Sequence, residues 1–148
     1  MIRLELPWIP PSSNKAYVSL SGGGRTLSTA GRKFKTTTTA HFAQKYPREM
    51  MFWKPNKPFL IVMRFHFELI ENEGFATGKA KGRYKVFDGG NRTKLLEDSL
   101  KDAGGIDDSQ TLTSIWQKEK AAREHTIIWA WSLEEEPCDL QELIRSLA

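Results

Sequence analysis

The segment between Pro58 and Ile70 constrains the fold more than any other part of the chain. Its odd positions are all apolar, namely Phe59, Ile61, Met63, Phe65, Phe67 and Leu69, whereas its later even positions are Arg64, His66 and Glu68. An alternation with a period of two is typical of a β-strand, because successive side chains point to opposite faces of a sheet. We therefore predict a long strand with one face buried throughout and the other face becoming exposed toward its end.

Patterns on both sides of this strand predict further elements. Ile2, Leu4 and Leu6 alternate as in a short strand, and Gly22 to Gly24 suit the tip of a hairpin loop. Ser28 is a suitable N-cap for a helix that presents Phe34, Thr38, Phe42 and Tyr46 on one face and ends near Pro47. Residues 111–120 and 125–133 resemble two strands joined by a charged turn.

A second helix is predicted over residues 91–103, after a loop at 71–82 and a short strand at 84–87 that leads to Asp88. Asn91 is the expected N-cap and Gly104 the expected C-terminal glycine. The core stripe of this helix consists of Leu95, Leu96, Ser99, Leu100 and Ala103. Together these elements predict an α+β fold with two layers, in which helices pack on one face of a mixed sheet.

The length of 148 residues suits one domain, which we place at 1–134, followed by a helical tail at 135–148. The tail carries an amphipathic stripe of Leu140, Leu143, Ile144 and Leu147. A single cysteine, Cys138, excludes an internal disulfide and fits a reducing compartment. No apolar run approaches the roughly 18 residues that span a bilayer, so we expect a cytoplasmic protein with no membrane partner.

The charge is distributed unevenly along the chain. Residues 1–87 contain 15 Lys and Arg against 5 Asp and Glu, whereas residues 88–148 contain 7 against 13. A basic body joined to an acidic part suits a protein that holds a polyanion and presents carboxylates to it. The alternative is an ordinary solvated surface on which the charge happens to be uneven.

Acids and a lysine stand at the two ends of the second predicted helix. Asp88 precedes it, Lys94 lies one turn into it, and Asp107 and Asp108 follow it after two glycines. Carboxylate oxygens are the ligands that Mg²⁺ selects, and a bound divalent metal assists phosphodiester hydrolysis. A lysine nearby can stabilise charge on the phosphate. The alternative is that 88–91 and 107–109 are only turns flanking a capped helix.

These residues resemble the RusA family of Holliday-junction resolvases of bacteria and their phages. The family has an early proline-rich Ser-Asn segment, then Asp-x-Asp-Asn-x-x-Lys opening a helix, and an Asp-Asp pair after the helix. The matching segments here are Pro10-Pro11-Ser12-Ser13-Asn14, Asp88-Gly89-Gly90-Asn91-Arg92-Thr93-Lys94 and Ile106-Asp107-Asp108-Ser109. Their order and spacing cover roughly residues 5 to 132.

The resemblance implies a homodimeric, Mg²⁺-dependent endonuclease, with Mn²⁺ as a possible substitute, that resolves four-way DNA junctions by paired nicks in recombination and repair. It also implies a location in a bacterial cell or a phage-infected host. By position, Asp88, Asp107 and Asp108 are the expected metal ligands. Lys94 acts with Asp88 and Asp108 in catalysis, while Asn91 and Asp98 support the site.

Gly90 departs from the family pattern, because the family places its second acid there. Three outcomes are open: Asp107 takes over that role, the metal binds with fewer protein ligands, or the chain binds junctions without cutting them. We expect an active enzyme, since the other three acids and Lys94 remain. A third hypothesis is a basic adaptor that binds other proteins.

Nine residues are the expected DNA contacts, because they flank loops and helix ends in the basic part of the chain. They are Asn14, Lys15, Arg25, Arg32, Lys33, Lys35, Lys81, Arg83 and Lys85. His66 and His125 fall within strand patterns, and we expect both to be structural.

Overall fold

The chain forms an α+β fold around a mixed four-stranded sheet, as predicted. The structure is a computed structural model that describes residues 1–53, 57–87, 89–105 and 107–133, with only the backbone for Ser13 and Asp108. The predicted tail at 135–148 therefore lies outside the described residues.

The elements follow one another in a simple order along the chain. The strands are β1 (Ile2–Leu6), β2 (Tyr17–Ser19), β3 (Arg25–Leu27), β4 (Phe59–Phe67), β5 (Thr111–Lys120) and β6 (His125–Ser132). The helices are α1 (Ser13–Ala16), α2 (Thr29–Lys45), α3 (Pro47–Met50) and α4 (Gly89–Gly104). Short 3-10 turns occur at Phe75–Thr77 and Asp108–Gln110.

The main sheet has the strand order β1-β6-β4-β5, so the long apolar strand β4 lies inside it. β4 runs parallel to β5 and antiparallel to β6, and β1 pairs antiparallel with β6. β5 and β6 follow each other in sequence but do not pair, because β4 lies between them. The four-residue turn at 121–124 therefore passes across the end of β4, where the Ala121 amide donates to the Phe67 carbonyl.

The main core lies on the face of the sheet formed by the odd positions of β4. Phe59, Ile61, Met63 and Phe65 are buried there against Phe42 of α2 and against Leu96 and Leu100 of α4. Helix α2 begins as predicted, because the Ser28 side chain accepts a hydrogen bond from the Gly31 amide at 3.0 Å. The predicted stripe of α4 is also confirmed, since Leu95, Leu96, Ser99 and Leu100 are buried.

Four details differ from the predictions. β4 ends at Phe67, and the following Leu69 is exposed. Its even face stays enclosed further along the strand than expected, because His66 is buried and stacked on the His125 ring. Residues 84–87 form no strand, only an isolated bridge between Tyr84 and Glu71.

The ends of α4 account for the fourth difference. The helix begins at Gly89, so Asn91 lies within its first turn and is not the N-cap. It also runs through Gly104, and Gly105 is the residue with the left-handed backbone (φ 74°). Helix propensity does not predict a helix start at two consecutive glycines, because glycine is a poor helix former.

Candidate active site and nucleic-acid surface

Helix α4 is the element that organises the candidate site. Its first residue, Gly89, is buried beneath the ring of Trp116, and a Cβ at this position would lie 2.6 Å from Trp116 Cδ2. Any larger residue at this position would have to displace the Trp116 ring, so glycine lets the helix start close to β5. Lys94 projects from the second turn and is exposed, whereas Thr93 and Leu95 on either side are buried.

The early proline-rich segment contacts the start of α4. Arg92 donates a hydrogen bond from Nη1 to the Pro10 carbonyl oxygen. Its guanidinium also lies 5.3 Å from the ring centre of Phe87 and 5.7 Å from that of Phe67. A planar cation suits this position, because it can stack on aromatic faces and donate hydrogen bonds in its own plane. Two segments that are far apart in sequence are thus held together.

Tyr17, the first residue after α1, joins the same surface. Its hydroxyl is buried and has no hydrogen-bond partner in the part of the chain that the structure describes. The Arg25 guanidinium lies 5.6 Å from the centre of its ring. Burial raises the pKa of Tyr17, as does the carboxylate of Asp98, while Lys94, Arg25 and Lys35 act in the opposite direction. The hairpin of β2 and β3 therefore lies within electrostatic range of Lys94 and Asp98.

Asp107 has a different environment, at the C-terminal end of α4. Its Oδ2 lies 3.2 Å from Lys101 Nζ, and its Oδ1 accepts a hydrogen bond from the Ser109 amide at 2.9 Å. Lys101 is seven residues after Lys94 on the same side of the helix, or about 10 Å along the axis. The carboxylate of Asp107 thus stabilises the turn into β5, whereas Lys94 belongs to the other end of the helix.

The predicted acids are only partly described. Asp88 and the side chain of Asp108 lie outside the described residues, so their distances to Lys94 are not defined. Among the residues that are described, no three His, Cys, Asp or Glu side chains form a group that can hold a metal ion. At Gly90 a Cβ would meet no atom within 4 Å, so the helix start has room for a larger side chain.

Most of the predicted DNA contacts lie around α1, the hairpin and the first turns of α2. The exposed members of this group are Asn14, Lys15, Arg25, Arg32 and Lys33. Lys35 is half-buried and forms an ion pair with Asp102 of α4 at 2.9 Å. That pair links α2 to α4 and neutralises part of the charge that Lys35 would offer to a phosphate.

The other three predicted contacts belong to the loop between β4 and α4. Lys81, Arg83 and Lys85 are exposed there. Arg83 forms an ion pair with Glu71 at 2.9 Å, and Asn72 holds the loop together by donating to the Gly82 and Tyr84 carbonyls. These bonds give the loop a defined shape, so its lysines are presented from an organised surface.

Arg92 and Tyr17 are the two residues that the sequence alone does not single out. Arg92 stands inside the Asp-Gly-Gly-Asn-Arg-Thr-Lys segment, yet nothing in that pattern shows that it reaches Pro10. Tyr17 follows the Ser-Asn segment by three residues, and no sequence pattern indicates that the charges of Asp98 and Lys94 act on its pKa. Both depend on contacts between segments distant in sequence.

The fold and the surface define a class only: an α+β protein with basic side chains around α1, α2 and the β2–β3 hairpin. No protein-family model matches the chain, and the comparison with curated proteins finds no match. No described helix is both long and apolar enough to cross a bilayer.

Proposed function

We propose that this protein is a metal-dependent, structure-selective endodeoxyribonuclease that resolves four-way DNA junctions, as its resemblance to the RusA family implies. The observation that carries the proposal is the contact between two of the resembling segments. Arg92 binds the Pro10 carbonyl. The early proline-rich segment therefore lies against the start of α4, as a site shared by these two segments requires.

The proposed chemistry uses residues at the start of α4 together with the acid pair that follows its C-terminal end. Asp88, Asp107 and Asp108 would hold Mg²⁺, since hard carboxylate oxygens are its preferred ligands. The bound metal would supply charge neutralisation and a hydroxide nucleophile. Lys94, exposed on α4, stabilises negative charge on the phosphate that is cut. Asp98 lies one turn beyond Lys94 on the same side of the helix, at the spacing from which its carboxylate would orient the ammonium group.

The basic residues around α1 and the hairpin position the DNA backbone. Lys15 and Arg25 are exposed and contact phosphates, which fixes the register of the duplex without reading its sequence. Each phosphate neutralised releases counterions, so junction binding weakens steeply as the salt concentration rises from about 50 to 200 mM. Paired nicks on two strands require two active sites, which a homodimer provides.

The direct experiment compares a synthetic four-way junction with a linear duplex of the same sequence, in Mg²⁺ and in Mn²⁺. Lys94→Ala should lower the cleavage rate about 10²–10³-fold and leave junction binding nearly unchanged. Lys120→Ala is the matched control, because Lys120 is an exposed lysine at the end of β5. An intact junction with the unmodified protein, in both metals and across pH, would contradict the proposal.

A second function is favoured by Gly90, where the family carries an acid. On this alternative the protein binds junctions and does not cut them. A side chain fits at this position, since a Cβ there meets nothing within 4 Å. Gel-shift binding without cleavage by the unmodified protein, together with cleavage by Gly90→Asp, would select this alternative. Weak junction binding with little salt dependence would instead indicate a protein-binding adaptor.

A further inference from the structure

The even face of β4 carries a second apolar cluster, separate from the main core. It consists of Leu60, Val62, Ile115, Trp129, Trp131 and Leu133. Register explains the set, because Trp131 lies opposite Leu60, and Trp129 and Ile115 lie opposite Val62 on the two neighbouring strands. We call these six residues the second face.

The second face is covered, although its described members all come from one layer. Leu60, Val62 and Trp131 are only 3%, 5% and 6% exposed. Flanking side chains shield the sides of a residue on a sheet but leave its tip open, so such low values require a second layer. The described helices that pack on the sheet do so on its opposite face, where they bury Phe42, Met50, Leu96 and Leu100 in the main core.

We propose that the second layer is the C-terminal segment 134–148 of the same chain. This segment begins directly after the second face, because Leu133 is the last residue of that cluster. The Leu133 amide donates to the Pro58 carbonyl at 3.0 Å, which fixes the point where the segment starts. The segment carries Leu140, Leu143, Ile144 and Leu147 at positions i, i+3, i+4 and i+7, the spacing of one helical face.

The length of the segment agrees with this occupant. A helix over residues 139–148 would be about 15 Å long, comparable with the roughly 10 Å across three strands. The segment contains five acids and one arginine. On the same side of the sheet, the Arg64 guanidinium lies 5.3 Å from the centre of the Trp129 ring and already forms an ion pair with Glu119 at 3.2 Å, so the length of the segment, and not its charge, supports this occupant. The proposal is independent of the nuclease function.

The first test adds two charges to the apolar stripe of the full-length protein. Leu143→Asp/Ile144→Asp should lower the midpoint of urea unfolding and make the protein bind a hydrophobic dye. The matched control is Gln141→Asp/Ser146→Asp, which adds the same charges off the stripe. Equal behaviour of the two double variants would overturn the proposal.

The second test separates this segment from a second copy of the chain. A nitroxide attached to Ser146→Cys in a Cys138→Ser background should broaden the NMR signals of the Trp131 indole and the Val62 methyl groups within the same molecule. A mixture of isotope-labelled chain without nitroxide and unlabelled chain with nitroxide should show no broadening. Broadening in the mixture as well as in the first sample would assign the second face to a second copy, and absence in both samples would also refute the proposal.

Discussion

The two adjacent glycines at the start of α4 should respond to alanine in opposite ways. At Gly89 the new Cβ would lie 2.6 Å from Trp116 Cδ2 and closer still to Cε2 and Cζ2, whereas at Gly90 it would meet nothing within 4 Å. Both positions are helical, so both gain up to about 1 kcal/mol because alanine has the higher helix propensity. Only Gly89→Ala must also move an aromatic ring.

The cost of that movement can be bounded from the contacts of Trp116. Overpacking typically costs about 1–3 kcal/mol. Trp116 is 44% exposed and can swing outward, but it then loses its contact with Phe87, whose ring centre is 5.0 Å away. An aromatic pair contributes about 0.5–1.5 kcal/mol. We expect Gly89→Ala to lower the free energy of unfolding by about 1–2 kcal/mol and Gly90→Ala to leave it equal or slightly higher.

Urea unfolding followed by circular dichroism measures both variants against the unmodified protein. In a Trp116→Ala background the clash is absent, so Gly89→Ala should no longer destabilise, and the double-mutant cycle isolates the coupling between the two residues. If Gly89→Ala and Gly90→Ala have the same free energy of unfolding, the close packing of the helix start against β5 is wrong.

Three other predictions concern contacts that hold the site together. Ser28→Ala removes the cap of α2 at Gly31 and should cost about 1 kcal/mol in urea unfolding, whereas Ser28→Asp, which keeps an acceptor, should cost less. Arg92→Lys keeps the charge but loses the planar stack on Phe67 and Phe87, so it should lower the melting temperature and speed proteolysis around Pro10; unchanged protection there would contradict this role. Burial, then the nearby His125, lowers the pKa of His66. The unfolded state therefore binds more protons, and the free energy of unfolding should fall as the pH drops through about 6.5 toward the lower folded pKa. His66→Gln should flatten that fall, and an identical pH slope in both proteins would refute it.

Local patterns predict the elements of this fold better than their arrangement. The alternation in β4, the cap at Ser28 and the stripe of α4 each depend on residues near in sequence, and all three are confirmed. The insertion of β4 between β5 and β6 depends on pairings across the whole chain, so no local pattern indicates it.

The sequence predicts the part of the candidate site near the start of α4 better than the part after the C-terminal end of that helix. The pattern of charges alone predicts an exposed Lys94 on a helix and the basic residues around α1. It does not predict the turn-stabilising bonds of Asp107, because they require Lys101 and Ser109 to be placed first. The buried His66 was expected to lie on an exposed face, and the shielding comes from His125 on a neighbouring strand.

The position of β4 inside the sheet also has a kinetic consequence. In the main sheet, β1 pairs with β6, and β4 pairs with both β5 and β6, so every partner is distant in sequence. Among the strands that the structure describes, only β2 and β3 pair as a local hairpin, whereas the consecutive strands β4 and β5 are separated by α4. Because β5 and β6 do not form a local hairpin, the main sheet forms only when strands distant in sequence pair, and such pairing slows folding. Refolding should therefore be slow for a domain of this size. The β2–β3 hairpin should form earlier than the main sheet, because its pairing does not depend on that sheet.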